Sequence, residues 1–508
     1  MATSLPGREV APPFPHEHDV TAVRAALRSP RRLRIEILAG LVVALALIPE
    51  AISFSILAGV DPRVGLFASF TMAVSIAFLG GRPAMISAAT GAVALVIAPV
   101  VRDYGMDYFI ATVILAGVIQ VVLGVLGAAR LMRFVPRSVM VGFVNSLAIL
   151  IFMAQVPHLL GVPWAVYPMV VIGLLVMVYL PRLTTVVPAP LVAIVLLTGA
   201  TVVAAIAVPN VGDQGALPDN LPSLFLPHVP LTLETLRIIA PYSLAMALVG
   251  LMESLMTAKL VDDVTDTHSH KTREAWGQGV ANIITGFFGG MGGCAMIGQT
   301  MINVKVSGAR TRISTFLAGV FLLILVVGLG DIVSLIPMSA LVAVMIMVSV
   351  GTFDWHSIRA STLRRMPRSE TFVMVATVAV VVLTHNLAIG VVLGTVVAMV
   401  LFVRRVAHFT SVVDVAHPDE DTRVYAVLGE LFFASSNDLV TQFDYVGDPK
   451  NVVIDMSQSH IWDASTVATL DAIQMRYVAK GKTATIIGLN DASAARHERL
   501  AGHLGGGH

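Results

Sequence analysis

An acidic residue, Glu253, stands well inside one of the apolar stretches of this chain. The same stretch carries small or polar residues at spacings of three and four, namely Ser243, Ala247, Gly250, Glu253 and Thr257. This spacing predicts one narrow polar face on an otherwise apolar helix, and that face should point into the protein. A carboxyl at such a depth is costly unless it holds a proton, pairs or faces water. We therefore expect Glu253 to carry a proton; the alternative is a hydrogen bond that only ties two helices together.

A second acidic residue, Glu50, follows Pro49 in the first apolar stretch. Proline inside a helix removes a backbone hydrogen bond and predicts a kink, and a kink at membrane depth commonly borders a cavity. Phe54 lies one turn further along the same face. Glu50 is thus a second candidate for carrying a proton. Phe54 is a candidate wall of a binding site, although it would serve equally well in the core.

Two apolar segments are interrupted by small and polar residues, 85–92 in the first half of the hydrophobic body and 294–301 in the second. Each is too short and too polar for an ordinary spanning helix, so its backbone must be buried in protein or line a wet cavity. Half-helix N-termini that meet there would attract an anion, and small residues let backbone N–H groups approach it closely. Neither interruption contains Arg or Lys, which favours reversible binding. The candidate binding residues within them are Ser87, Thr90, Gly91, Gln299 and Thr300.

The composition identifies a polytopic membrane protein, since 56% of the 508 residues are hydrophobic and 13% are charged. Apolar runs of spanning length recur, and basic residues fall in every second loop between them. By the positive-inside rule both termini are cytoplasmic, and the protein belongs in the inner membrane. We expect a cytoplasmic segment over 1–34 and an all-α transmembrane domain of about fourteen segments over 35–405.

A proline-rich loop without Lys or Arg, 209–230, divides the transmembrane domain into two similar halves. The halves, about 35–207 and 236–403, each have a long first segment and an interrupted third one. Seven segments per half is an odd number, so the second half must be inserted upside down relative to the first. This is the inverted-repeat plan of secondary transporters.

The pattern after Arg405 changes to that of a soluble domain, over 410–508. Alternating and continuous apolar runs predict strands at 424–429, 451–456 and 482–489. An amphipathic helix is predicted at 465–478. We expect a small cytoplasmic α/β domain.

Several other features are not expected to be functional sites. A single cysteine, Cys294, excludes an intramolecular disulfide and a Cys-based metal site, and its small neighbours favour a packing role. The run 289–293 is glycine-rich but lacks the Gly-Lys-Ser/Thr of a phosphate loop. Asp266, His268 and His270 lie in a cytoplasmic loop where solvated side chains are more common than metal ligands. We expect no cofactor, no metal, no enzymatic activity and no nucleic-acid partner.

Four runs carry recognisable motifs: 250–263 around Glu253, 277–290 with Asn282 and Gly286, 307–312, and 43–51 in the first apolar stretch. The first three resemble motifs of the SulP family of anion transporters, and the fourth is similar to the first-helix motif of that family. The resemblance covers nearly the whole chain. It implies a seven-plus-seven inverted repeat with core and gate domains, a C-terminal STAS domain, a homodimer and an elevator-like motion of the core. It also assigns substrate-binding roles by position to Phe54, Thr90, Glu253 and Thr300.

Three departures from the family pattern qualify this expectation. Many members have glutamine where Glu50 stands, and an acidic residue there favours proton coupling over simple anion exchange. Met301 stands where animal members have arginine, so electromotility is not expected. Ala464 occupies the position of the phosphorylatable serine of related soluble domains, which argues against a phosphoswitch, although Ser465 is adjacent.

The sequence leads to one principal hypothesis and two alternatives. The principal one is proton-coupled symport of a small anion across the lipid bilayer, with sulfate, bicarbonate and dicarboxylates suited equally well. The first alternative is sodium-coupled bicarbonate uptake. The second is a membrane anion sensor that signals through a cytoplasmic protein partner at the STAS domain. A channel is disfavoured because the glutamates would repel a file of anions.

Overall fold

The computed structural model describes residues 19–127, 130, 135–183, 188–407 and 410–503. Residues 1–18 of the predicted N-terminal segment and 504–508 of the predicted C-terminal domain lie outside this range. The chain forms two compact units, Met1–Thr395 and Val396–His508.

The first unit is built almost entirely from helices. Those of the first half, with one two-residue strand, are α1 (Asp19–Arg28), α2 (Pro30–Ala58), α3 (Pro62–Leu79), β1 (Ser87–Ala88), α4 (Gly91–Tyr104), α5 (Met106–Val125), α6 (Arg137–Gln155), α7 (Val166–Leu183) and α8 (Ala189–Val203). Those of the second half are α9 (Leu233–Thr265), α10 (Lys271–Phe287), α11 (Ile297–Met301), α12 (Arg312–Gly328), α13 (Gly330–Ser334), α14 (Met338–Thr352), α15 (Ala360–Arg365), α16 (Arg368–Thr384) and α17 (Leu387–Ala407), with strand β2 (Cys294–Ala295) before α11. Helix α11 continues directly into a π-helical turn, Ile302–Val306.

Within the described residues, seven helices are long and apolar enough to cross a membrane by themselves. They are Pro30–Ala58, Pro62–Leu79, Met106–Val125, Arg137–Leu159, Val166–Leu183, Leu233–Thr265 and Leu387–Val406. Three shorter apolar helices add to them, at Ala189–Val203, Arg312–Gly328 and Met338–Thr352. The polytopic helical fold is confirmed, and the count of fourteen segments stays a prediction.

The two halves repeat the same helix contacts with the partners exchanged. In chain order, α2, α3, α5, α6 and α7 of the first half correspond to α9, α10, α12, α14 and α16 of the second. Helix α2 packs on α12 as α9 packs on α5, and α3 packs on α12 as α10 packs on α5. Helix α6 likewise packs on α16 as α14 packs on α7. This exchange of partners is what a pseudo-two-fold relation between the halves produces, because each helix then makes the contacts that its counterpart makes in the other half, and it agrees with the predicted repeat.

These contacts divide the helices into two groups. The core group contains α2 to α5 and α9 to α12, and the gate group contains α6, α7, α8, α14 and α16. Helix α2 provides most of the contact between the groups, through α14 and α8. The groups correspond to the core and gate domains that the resemblance implies.

The 307–312 motif forms the turn that begins α12. The buried carboxylate of Glu36 accepts backbone hydrogen bonds there from Arg310 at 2.8 Å and from Thr311 at 3.0 Å. Arg312 donates to the carbonyl of Gly80, just beyond the end of α3, at 2.6 Å. Glu36 thus stabilises the positive N-terminal end of α12, and Arg312 the negative end of α3.

The second unit is an α/β domain around one four-stranded sheet. Its elements are β3 (Ser411–Asp419), β4 (Thr422–Leu431), α18 (Phe433–Leu439), β5 (Asn451–Ile461), α19 (Ala464–Val478), β6 (Thr483–Ile487) and α20 (Asp491–Leu500). Strands lie in the order β3-β4-β5-β6, with β3 antiparallel to β4 and the other pairs parallel. The three predicted strands and the predicted helix are confirmed, and β3 is an addition.

Candidate functional site

The two interrupted segments lie side by side in the core group. Strands β1 and β2 pair antiparallel, with Ser87 opposite Ala295 and Ala88 opposite Cys294. Gly293 comes so close to the carbonyl of Ala88 that a side chain at this position would clash. Helices α4 and α11 begin just after these strands, so their N-termini are held next to each other. The first N–H groups of each helix have no backbone partner within that helix, and apart from that of Val93, which donates to the Thr90 hydroxyl, they are available to a ligand.

Thr90, Cys294 and Glu253 form a hydrogen-bonded chain beside these N-termini. Thr90 caps α4, because its hydroxyl accepts a hydrogen bond from the backbone N–H of Val93 at 3.4 Å. The Cys294 thiol lies 3.1 Å from that hydroxyl and donates to Oε2 of Glu253 at 2.9 Å. A thiol has one proton, so the Thr90 hydroxyl donates to the sulfur. The start of α4 is thereby linked to the Glu253 carboxyl.

Helix α9 positions Glu253 as the spacing predicts. All five residues of its predicted polar face are buried, which confirms that this face points into the protein. The neighbouring Ser254 accepts a hydrogen bond from the backbone N–H of Ala295 at 3.1 Å and so holds β2 against α9. The Glu253 side chain retains 9% of its exposure.

Glu50 occupies a comparable place at the other half-helix. Its carboxyl lies close to the side chain of Gln299, in the first turn of α11. Glu50 also retains 9% of its exposure, and Gln299 retains 4%. Each half-helix N-terminus therefore has one carboxyl near it. An ionised carboxyl would repel an anion there, whereas a protonated one is neutral and can donate.

Ser87 and Thr300 are fully buried and act within the protein. The Ser87 hydroxyl accepts a hydrogen bond from Nε2 of Gln278 at 2.6 Å. The Thr300 hydroxyl accepts one from the backbone N–H of Ile86 at 3.0 Å, which ties α11 to the first interruption. Both hydroxyls therefore help to hold the two segments in place, and a binding role for Ser87 and Thr300 stays a prediction.

Phe54 and two glycines shape the space around the helix starts. Phe54 is buried, and a Cβ at Gly91 would lie 2.8 Å from its Cε1 atom, so the ring lies directly on the first turn of α4. Gly298 is exposed although Gln299 and Thr300 beside it are buried. A Cβ at Gly298 would meet no heavy atom within 4 Å. The space beside Gly298 is therefore open.

Sequence reasoning missed three residues that build this site. Cys294 is interpreted from the sequence as a packing residue, whereas its thiol joins Thr90 to Glu253. Asn282 both accepts from the backbone N–H of Gly293 at 2.8 Å and donates to its carbonyl at 3.0 Å, which fixes the loop before β2. Gln278 connects Ser87 to Glu274. Only the positions of Asn282 and Gln278 within the 277–290 run, and of Cys294 at the start of the second interrupted segment, pointed to them.

A cavity of about 10 Å³ between α2, α6 and α14 is lined by Ser53, Gln155, His158 and others. It has room for about one water molecule and is too small for a polyatomic anion. Within the described residues no group of three or more His, Cys, Asp or Glu side chains could hold a metal ion, and the 266–270 loop forms no exception.

Comparisons with known proteins agree along the length of the chain. A model of the sulfate permease family matches residues 33–169 and 162–377, and a model of the STAS domain matches residues 414–501. YbaR of Bacillus subtilis, provisionally named as a sulfate transporter, is 52% identical over 470 residues, which cover 92% of this chain and 97% of YbaR. The bicarbonate transporter BicA of Picosynechococcus is 24% identical over 92% of this chain and 91% of its own length.

A solved structure shows the same fold. The murine Solute Carrier 26 family member A9 anion transporter, in its inward-facing state, superposes with a TM-score of 0.78 at 14% identity. The match covers 97% of this chain and 92% of that one. These matches are to transporters rather than enzymes.

Proposed function

The chain belongs to the sulfate permease family and ends in a STAS domain, and from this premise we propose that it carries a small anion together with a proton. The anion would bind between the N-termini of α4 and α11, in the open space beside Gly298. The observation that carries the proposal is the pairing of β1 with β2, which brings both helix starts together next to Glu253 and Glu50.

The anion site would consist mainly of backbone. At the two helix starts, the N–H groups other than that of Val93, with the partial positive charge of each helix end, suit an oxyanion without a fixed cation. Phe54 would form an apolar wall, because its ring lies on the first turn of α4. Ser87, Thr90, Gly91, Gln299 and Thr300 would shape this cradle, chiefly by holding the two segments in place.

Protonation of Glu253 would couple the two substrates. An ionised carboxyl next to the helix starts repels an anion, and a proton on it removes that repulsion. Proton and anion would then load together and leave together. The chain of hydrogen bonds through Cys294 to Thr90 supports this role, since it connects the carboxyl to the cap of α4. Glu50, through Gln299, would be a second proton carrier.

Alternating access would come from movement of the core group relative to the gate group, as in an elevator. The binding residues all belong to core-group elements, and the few contacts of that group with the gate group run mainly through α2. We further propose an inner-membrane homodimer with both termini in the cytoplasm, where the STAS domain could meet a protein partner.

Sodium-coupled bicarbonate transport is the second candidate, because the bicarbonate transporter BicA is similar over 92% of this chain. Uptake of labelled sulfate, bicarbonate and dicarboxylates into proteoliposomes separates the two. Uptake driven by an inward proton gradient supports the first function, and uptake that requires sodium supports the second. Absence of flux for every anion would favour a sensor that signals through the STAS domain.

A further inference from the structure

The connection between α14 and α16 presents a dense group of arginines on the surface. We call this segment, residues 353–368, the arginine platform. Its four exposed arginines are Arg359, Arg364, Arg365 and Arg368. Within the described residues none of the four makes an ion pair, so their charges are open to a partner from outside the chain.

The platform is held in a defined conformation. Asn145 of α6 accepts a hydrogen bond from the backbone N–H of Asp354 at 2.8 Å and donates to the Ser357 hydroxyl at 2.9 Å. The Asp354 carboxylate accepts from the backbone N–H groups of His356 at 3.0 Å and Ser357 at 3.3 Å. The loop is therefore ordered by its own polar groups and fixed to the gate group.

Large apolar side chains are exposed among the arginines. Trp355 is 52% exposed, Ile358 is 47% exposed and Leu363 is 36% exposed. The indole N–H of Trp355 donates to the carbonyl of Val350 at 2.8 Å, which satisfies its polar atom. Its ring packs against the ring of Phe353, with 4.8 Å between the centroids, and the rest of it is exposed. Tryptophan beside arginine at the end of a membrane helix is typical of the headgroup region of a bilayer.

Few negative charges lie near the platform along the chain. The Asp354 carboxylate is occupied by its own loop, and Glu370, in the first turn of α16, is the exposed acid nearest in the chain. Four arginines against these two carboxylates leave an excess of positive charge. This surface lies between the ends of α14 and α16, where phosphate headgroups of a bilayer would meet it.

We propose that the arginine platform binds the phosphate headgroups of anionic lipids, with Trp355 and Ile358 inserted among the upper acyl carbons. The occupant is identified by charge complementarity and by the mixture of arginine with apolar side chains at a helix end. An acidic protein surface would match the charges, whereas an anionic bilayer surface matches the charges and also takes up indole and aliphatic groups at the headgroup level.

The test follows Trp355 in the full chain, with Trp164, Trp276 and Trp462 replaced by Phe. In nanodiscs with brominated phosphatidylcholine, the Trp355 emission should be quenched. In detergent, titrated phosphatidylglycerol should change that emission, and phosphatidylcholine should not. Arg364→Gln with Arg365→Gln should weaken phosphatidylglycerol binding about 30-fold, or about fivefold per arginine.

A matched double variant controls for loss of charge. Arg63, in the first turn of α3, and Arg102, in the last turn of α4, are exposed arginines paired with Asp61 at 3.3 Å and Asp103 at 2.8 Å. Arg63→Gln with Arg102→Gln should leave the binding unchanged. Added salt should weaken phosphatidylglycerol binding to the protein that keeps all four platform arginines. This measurement does not depend on whether an arginine variant folds. Unquenched Trp355, equal binding of both lipids, or capture of an acidic protein in place of lipid would overturn the proposal.

Discussion

The thiol of Cys294 donates a hydrogen bond to Oε2 of Glu253 at a distance of 2.9 Å, and the same sulfur lies 3.1 Å from the hydroxyl of Thr90. One side chain thus connects the second interrupted segment both to the carboxyl of α9 and to the cap of α4. A change in the charge of Glu253 would therefore affect the hydrogen bonds at the start of α4, where the anion is proposed to bind.

Replacement of Cys294 tests this connection. In Cys294→Ala the carboxyl loses its donor, and the pH at which uptake is half-maximal should move by about 0.5 to 1 unit, as expected for one hydrogen bond. Cys294→Ser keeps a donor in the same place and should restore the profile. A pH profile of anion uptake that is identical in all three proteins would show that the thiol has only a packing role.

Glu50→Gln should retain anion uptake and change its response to pH. The amide can still bond to Gln299, so α11 keeps its position, but the side chain no longer titrates. Counting protons per anion from paired pH and uptake measurements checks this. An unaltered proton count would remove Glu50 from the coupling mechanism, and total loss of uptake would instead indicate a binding role.

Gly91→Ala should crowd the ring of Phe54, because the added Cβ would lie 2.8 Å from its Cε1 atom. We expect a loss of about 1 to 3 kcal/mol in stability and weaker anion binding. The second change Phe54→Leu should relieve the clash in part, and thermal unfolding with anion titration measures both effects. Gly298→Ala is the control for stability, since its Cβ would meet no heavy atom within 4 Å. Additive losses in the double variant would mean that the two residues do not interact.

The STAS domain should lose stability in alkaline solution. Burial raises the pKa of the Tyr477 phenol, and its hydrogen bond to Asp448 at 2.6 Å raises it further. Burial acts in the same direction on the pKa of Tyr425, which also bonds to Asp448. The folded domain holds the phenol protons more tightly than the unfolded chain does. The stability that this difference contributes is complete below a pH of about 10 and is lost as the pH rises above it.

The fluorescence of Trp462 can follow the alkaline unfolding of the STAS domain in a variant that retains no other tryptophan. Tyr477→Phe removes the hydrogen bond to a buried carboxylate and should cost about 1 to 3 kcal/mol at neutral pH, while making stability less sensitive to alkali. Asp444→Asn, at an exposed carboxyl of the same domain, should leave the alkaline midpoint in place. A midpoint that Tyr477→Phe does not change would assign the transition to other groups.

The sequence predicts the large features of this fold because hydropathy and spacing encode them directly. The buried polar face of α9 follows from five residues at helical spacing, and the interruptions follow from small and polar residues within apolar runs. The STAS strands β4, β5 and β6 follow from continuous apolar stretches. These signals depend only on residues close together in the chain, so a single sequence is enough to recognise them.

The details of the site are not local and could not be predicted. Strands β1 and β2 are two residues long, and their pairing joins positions about 200 residues apart. A single cysteine has no spacing pattern, so the contacts of Cys294 with Thr90 and Glu253 became visible only in the folded chain. Likewise, nothing in the sequence indicates that the hydroxyls of Ser87 and Thr300 are occupied by Gln278 and Ile86.

The central claim is that Glu253 couples a proton to the anion, and one comparison tests it most directly. Labelled-anion uptake into proteoliposomes is measured with and without an inward proton gradient for the unmodified protein, Glu253→Gln and Glu234→Gln. Glu234 lies exposed in the first turn of the same helix and serves as the matched control. The account predicts that the gradient accelerates uptake in the unmodified protein and in Glu234→Gln, but not in Glu253→Gln. Equal acceleration in all three proteins would contradict it.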